Sequence, residues 1–249
     1  MNKSLIIILM FFIPLFVSGA LENSEQFHAA INDARDIHYS GRASEAAVSR
    51  LDRLMNSLND SSEGSSVTEY YRKYSEIYLL KGLFLIDMGE KSLASDVLAE
   101  GIDFCETRYL EGGEQFFLVQ TALLKSHWML LQKTSVLIRT GGEIQEMTDL
   151  ALELDPDDFT ARLLSAQGLI NAPPLFGGNP VEAARILISS ESLIRNEYDR
   201  FDLYLTLADA RRKKKAWDDA GGWCTKALSL FPENADALKM QDLITARKK

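Results

Sequence analysis

The stretch WDDAGGWCTKALSLFP, residues 217–232, decides the fold. Within it, Ala220, Ala227 and Pro232 stand seven and five residues apart. Upstream, Tyr204, Leu207 and Ala208 fall 16, 13 and 12 residues before Ala220. This is the spacing of a two-helix hairpin that recurs about every 34 residues. The first helix presents an aromatic and a small residue one turn apart. The second presents two small residues seven apart, which lets a neighbouring helix approach closely. Proline cannot continue a helix, so Pro232 marks where the second one stops.

Working outward, five such hairpins are expected, closed by a capping helix from Ala235 to Lys249. The first runs from about Glu25 to Leu58, with Gly41 at its turn and Ala46 five residues later. The second runs from about Glu69 to Tyr109, and Tyr78, Gly82, Gly89, Ala94 and Gly101 take the aromatic, small, turn, small and small places. The third has Trp128, Leu131, Ala151 and Pro156, with Ile144 where a small residue is usual. The fourth has Gly168, then Ala183 and Ala184, across a turn lengthened by NAPPLFGGNP, residues 171–180. Breakers fit these limits: residues 59–66 (NDSSEGSS) read as a loop, and Glu111-Gly112-Gly113 divides the second hairpin from the third. Asp155-Pro156-Asp157-Asp158 stops one helix and offers an N-cap to the next. No segment alternates with the period of two that marks a strand. The expected class is therefore all-α, a solenoid of about five helical hairpins with a C-terminal capping helix over residues 21–249.

With these residues in view, the chain resembles tetratricopeptide-repeat proteins. The stretch ALELDPDDFTARLLSAQGLINAPPLFGGNPVEAARIL, residues 151–187, is more particular. A helix ending in LDP is followed by a helix with a glycine, a GGNP turn and a helix that starts with small residues. This order resembles the T-component proteins associated with TRAP transporters, which are exported and tetratricopeptide-like. A similar turn occurs in eukaryotic regulators of microtubule dynamics. The resemblance covers roughly residues 143–190 and implies a TRAP-type solute-binding protein as a partner.

The first twenty residues read as a secretory signal peptide. Lys3 supplies the positive start, Leu5 to Val17 the apolar run, and Ser18-Gly19-Ala20 the small residues of a cleavage site. An uncleaved anchor helix is the alternative, for which the apolar run is short. No cysteine lies near the cleavage site, which excludes a lipoprotein anchor. The expected location is the periplasm or the extracellular medium, with no span left after cleavage. The net charge of -9 argues against nucleic acid, whose phosphates call for clustered cations. The basic run Arg211 to Lys215 sits at a helix end, where it complements the dipole. Cys105 and Cys224 fall three repeats apart and are expected as free thiols, unless the superhelix closes on itself.

No catalytic constellation is visible. His28, His38 and His127 are scattered, with no metal-ligand spacing. Gly177-Gly178 lacks the Lys-Ser/Thr of a phosphate loop. No enzyme, cofactor or metal site is expected. The unusual feature is two helices apolar nearly all round, YSEIYLLKGLFLIDMG at 74–89 and FFLVQTALLKSHWMLLQKTSVLI at 116–138. A repeat helix needs one apolar stripe. The surplus residues Leu79, Leu83, Ile86, Met129 and Val136 are expected to line a shared apolar groove. The loop residues Pro174, Phe176, Gly177, Gly178 and Asn179 are expected to edge it. The groove is filled by a hydrophobic small ligand, by a protein partner, by a second protomer, or by tight closure of the superhelix. The functional expectation is an exported, non-enzymatic scaffold that binds protein partners. The alternative is a ligand-binding accessory of a TRAP-type transporter.

Overall fold

The computed structural model describes residues 25–60 and 67–248. The signal-peptide segment and most of the 59–66 loop lie outside the described residues. Eleven helices follow one another: α1 (residues 25–39), α2 (Glu45–Asp60), α3 (Val67–Asp87), α4 (Lys91–Gly112), α5 (Gln115–Met129) and α6 (Thr134–Leu154). Then come α7 (Phe159–Asn171), α8 (Pro180–Ser189), α9 (Glu197–Lys213), α10 (Trp217–Leu230) and α11 (Ala235–Lys248). Short 3-10 turns at Pro174–Phe176 and Glu191–Leu193 flank α8. Among the described residues there is no strand, and no helix is long and apolar enough to cross a membrane.

Consecutive helices pair into five hairpins, and α11 packs on α10. The hairpins form where the local chemistry directs. Gly41 and Gly89 take positive φ values of 64° and 82° at the first two turns. In each, the turn N–H reaches back three residues and the next N–H five residues, which satisfies the carbonyls at the helix end. Lys215, with φ 59°, makes the same two bonds at the fifth turn. A side chain there costs about 1 kcal/mol. Asp158, Asn179 and Asn196 accept the free N–H groups at the starts of α7, α8 and α9, at 2.7, 3.2 and 2.9 Å.

Close packing rests on the small residues. Ala94, Ala151, Ala183, Ala220 and Ala227 are fully buried. A Cβ on Gly101 would lie 2.8 Å from the Tyr78 Cβ, so α3 and α4 touch nearly backbone to backbone there. Ala227→Leu is expected to overpack the α9–α10 hairpin and to cost about 1–3 kcal/mol. Urea unfolding checks this, and a variant as stable as the parent would show that α10 is not pressed against its neighbours.

Residues 116–138 are not one helix. α5 stops at Met129, residues 130–133 turn, and α6 starts at Thr134. The turn contains no glycine or proline. It is held by the N–H groups of Leu130, Leu131 and Gln132, each bonded three residues back, and by a Gln132 Nε2–Ser95 Oγ hydrogen bond of 2.9 Å.

The solenoid closes on itself. Tyr39 at the end of α1 sits among Tyr198, Phe201 and Phe231, at ring separations of 5.0, 5.3 and 5.1 Å. The Tyr39 hydroxyl donates to Asp202 at 2.8 Å, and the Tyr198 hydroxyl donates to Asp36 at 2.8 Å. Asn234 caps α11 through its side-chain oxygen and donates its Nδ2 to the Tyr39 carbonyl at 3.0 Å. The first hairpin is thereby sealed to the last. Closure does not unite the cysteines: Cys105 and Cys224 are buried free thiols in separate core clusters.

Candidate functional site

Because the first helices of the hairpins face inward, closure encloses a central cavity of about 330 Å³. All five contribute: Arg35 and Tyr39 from α1, Glu76 and Leu79 from α3, Phe116, Val119 and Gln120 from α5, Phe159 and Leu163 from α7, and Tyr198, Asp199 and Asp202 from α9. Arg195 and Asn196, just before α9, and Asp158 at the α7 cap complete the wall. The cavity sets charged and aromatic residues against an aliphatic wall.

The partnerships of its charged groups are uneven. Arg195 is tied to Asp199 by contacts of 2.8 and 3.2 Å, and its own backbone N–H adds a third at 3.1 Å. Asp158 is committed to the Ala161 N–H. Glu76 meets Arg35 at 3.7 Å, a long contact. Asp202 accepts from a neutral hydroxyl. Burial pushes Asp202 up to about 7, although the Tyr39 hydroxyl and nearby His38 pull the other way. Burial raises Glu76 as well, against the opposing charge of Arg35. Burial and the Asp202 charge hold the Tyr39 hydroxyl well above its usual range, so it stays a donor.

A second cavity of about 450 Å³ opens at the C-terminal ends of α5, α7 and α9, under α11. Its wall is more apolar: Met129, Ile144, Leu164, Leu205, Met240 and Leu243, with Asp209, Arg212 and Lys239 at intervals. Leu130 and Leu243 are 67% and 47% exposed on it. His127 also lines it, and burial lowers this imidazole to about 4, so it is neutral at pH 7.

The five residues expected along one groove are dispersed. Leu79 lines the central cavity and Met129 the second. Leu83, Ile86 and Val136 line neither. Ile86 packs against the clusters around Leu98 and Leu85. Val136 stands on α6, a second helix, because the chain turns before it. The surplus apolar surface of α3 and α5 serves the stack, since α3 packs on α5 and α5 on α7 in addition to their hairpin partners.

The loop expected to edge the groove lines neither cavity. Pro174 begins a 3-10 turn, Phe176 points outward at 70% exposure, and Gly177 takes φ 87°. A Cβ on Gly178 would run into the Ala172 carbonyl, and the Asn179 N–H closes back on Leu169 at 2.8 Å. Asn179 caps α8 and Pro180 starts it. Backbone geometry and the Asn179 side-chain cap account for the GGNP turn.

Among the described residues, no group of His, Cys, Asp and Glu is placed to hold a metal. Burial pushes the Cys105 thiol up to about 12, which leaves it unreactive. The arrangement offers shaped, charged and apolar surface for binding.

The architecture is a tetratricopeptide-type helical-hairpin solenoid. The chain is similar in fold to a thermophilic tetratricopeptide-repeat protein of Thermus thermophilus, seen in a crystal structure. The TM-score is 0.57 at 12% identity, over 88% of this chain and 99% of that one. No protein-family model matches this chain, and no curated protein matches it.

Proposed function

We propose that this chain is an exported, non-catalytic binding protein that engages a protein partner through the second cavity. The observation that carries the reading is the apolar mouth, where Leu130 and Leu243 stand exposed around a pocket of about 450 Å³. Grouped exposed apolar residues beside a concavity are the usual mark of a docking site. The hairpin-solenoid fold supports it, since stacked helices offer one continuous inner surface. Export is supported by the signal-like segment at residues 1–20.

A photoreactive amino acid at position 243, in the cells that make the protein, tests the reading. One defined protein adduct is expected from position 243 and none from position 110, an exposed leucine at the end of α4 that lines neither cavity. Equal labelling from both sites, or none, would overturn it. N-terminal sequencing of the same material tests export, for which a chain beginning after Ala20 is expected.

A second reading is an accessory of a TRAP-type transporter, supported by the resemblance of residues 143–190. It predicts that the adduct from position 243 is a TRAP-type solute-binding protein. An apolar small molecule co-purifying with the chain would favour it as well.

A further inference from the structure

We infer that the central cavity is a binding site for a single organic cation, an ammonium or guanidinium group carried on an apolar or aromatic stem. This goes beyond the partner-binding reading, which concerns the second cavity.

Charge favours a cation. Four carboxylates, Glu76, Asp158, Asp199 and Asp202, face two guanidinium groups, Arg35 and Arg195. Arg195 is consumed by Asp199, and Asp158 by the α7 N-terminus. Arg35 is left to serve Glu76 at 3.7 Å, while Asp202 has the Tyr39 hydroxyl. Asp202 therefore has a neutral hydroxyl as its close partner, and Glu76 holds Arg35 only at 3.7 Å, with the charges of His28, Arg195 and Lys73 also acting on it. A buried carboxylate is costly until it gains a hydrogen-bonded positive partner. Burial raises the pKa of both groups, although Arg35 pulls Glu76 and the Tyr39 hydroxyl pulls Asp202 the other way. A cavity lined by an excess of one sign also concentrates ions of the other. An anion would meet Arg195 already held by Asp199, and an Arg35 that faces Glu76.

Shape and surface suit the same ligand. The rings of Tyr39, Tyr198 and Phe159 border the cavity, and Arg35 and Arg195 already lie over those of Tyr198 and Phe159 at 5.9 and 6.0 Å, so this aromatic wall accepts guanidinium groups. Leu79, Val119 and Leu163 supply an apolar wall for a stem. A volume of about 330 Å³ lies at the small end of ligand pockets, the size for one amino-acid-like group rather than a folded segment. There is also a way in. The side chains of Arg35 and Glu76 are 32% and 30% exposed, and that of Arg195 is 60% exposed.

The same chemistry could come from a free amine or from a basic side chain of a partner. Calorimetric titration of the purified full chain with three matched probes tests the site: benzylammonium, benzyl alcohol and benzoate. Benzylammonium is expected to bind saturably, at least about tenfold more tightly than benzyl alcohol, with no binding of benzoate. Glu76→Gln and Asp202→Asn are each expected to weaken benzylammonium about tenfold while circular dichroism stays helical. Leu175→Ser, on the outer loop, should leave it unchanged. Equal binding of the alcohol, no saturable heat from benzylammonium, or parental affinity in both variants would overturn the inference. Using two carboxylate variants keeps the test decisive if one fails to fold. Lysine amide and a capped Gly-Lys-Gly peptide then separate the sources. A peptide that binds as well as lysine amide assigns the cation to a partner, and lysine amide alone assigns a free small molecule. The position-243 crosslink reports on the other cavity, so failure of either experiment leaves the other reading standing.

Discussion

Phe231→Ala is expected to lower the unfolding free energy by about 3–5 kcal/mol, the usual cost of deleting a buried aromatic side chain. Phe231 is buried, and its ring lies 5.1, 5.8 and 5.4 Å from Tyr39, Tyr198 and Phe201. Its backbone N–H bonds to Ala227 and survives the substitution, so the loss falls on the seam. In an open solenoid each repeat touches only its neighbours, and terminal hairpins fray first. Here the seam gives α1 a second set of contacts from α9 and the segment before α11. Hydrogen exchange should show α1 amides opening well ahead of those in α5 in the variant. Leu187→Ala is the control: Leu187 is equally buried in the α7–α9 core, and its loss costs about 2–5 kcal/mol. It should leave the protection of α1 relative to α5 as in the parent. If both variants loosen α1 equally, the seam carries no special weight.

The seam is also what sequence reading could not reach. The hairpins announce themselves through local chemistry. Gly41 and Gly89 must turn the chain, Asp158 and Asn179 must cap, and Ala220 and Ala227 must admit a neighbour. Each is a short-range requirement, so each leaves a short-range mark. The turn at residues 130–133 leaves none, because Leu130 to Lys133 contains neither glycine nor proline, and the run therefore reads as one helix to Ile138. Closure joins Tyr39 to Asp202 and Asn234 across 163 and 195 residues, a relation with no periodicity to detect. The candidate site inherits that difficulty. Apolar excess on α3 and α5 pointed to Leu79 and Met129, which do line cavities, and to Leu83, Ile86 and Val136, which do not. The excess arises because these helices sit mid-stack and pack on several sides. Polar residues gave the better clue to the central cavity. The segment RNEYDRFD, residues 195–202, sets arginine, tyrosine and aspartate on a helix whose repeat place calls for an inward face. A carboxylate there needs either water or a partner.

Asp202→Asn is expected to change stability in a strongly pH-dependent way. Asp202 is held near 7 in the fold against a reference of 3.8. The folded state therefore keeps a proton that the unfolded chain has already released. Asp202 favours folding fully below about pH 4, and that contribution is lost as pH rises through about 7. At about 1.4 kcal/mol per tenfold change in acidity, the full effect reaches roughly 4 kcal/mol, and the partial exposure of Asp202 reduces it to about 1–3. The groups facing Asp202 are Tyr39 and His38 from α1 and Asp199 from its own helix. Asparagine keeps an oxygen to accept from Tyr39 but cannot ionise. The variant should thus be the more stable protein at pH 8 and should lose that advantage at pH 4. His127 works in the opposite sense: its imidazole, lowered to about 4, withdraws stability as pH falls below 6.5. The parent's pH profile mixes these with the raised Glu76, whereas the difference between parent and variant isolates Asp202. Urea unfolding of both proteins at pH 4, 6 and 8 reads it out. A constant difference across that range would mean that Asp202 is ionised and well solvated in the fold, and that the central cavity is wetter than its walls suggest.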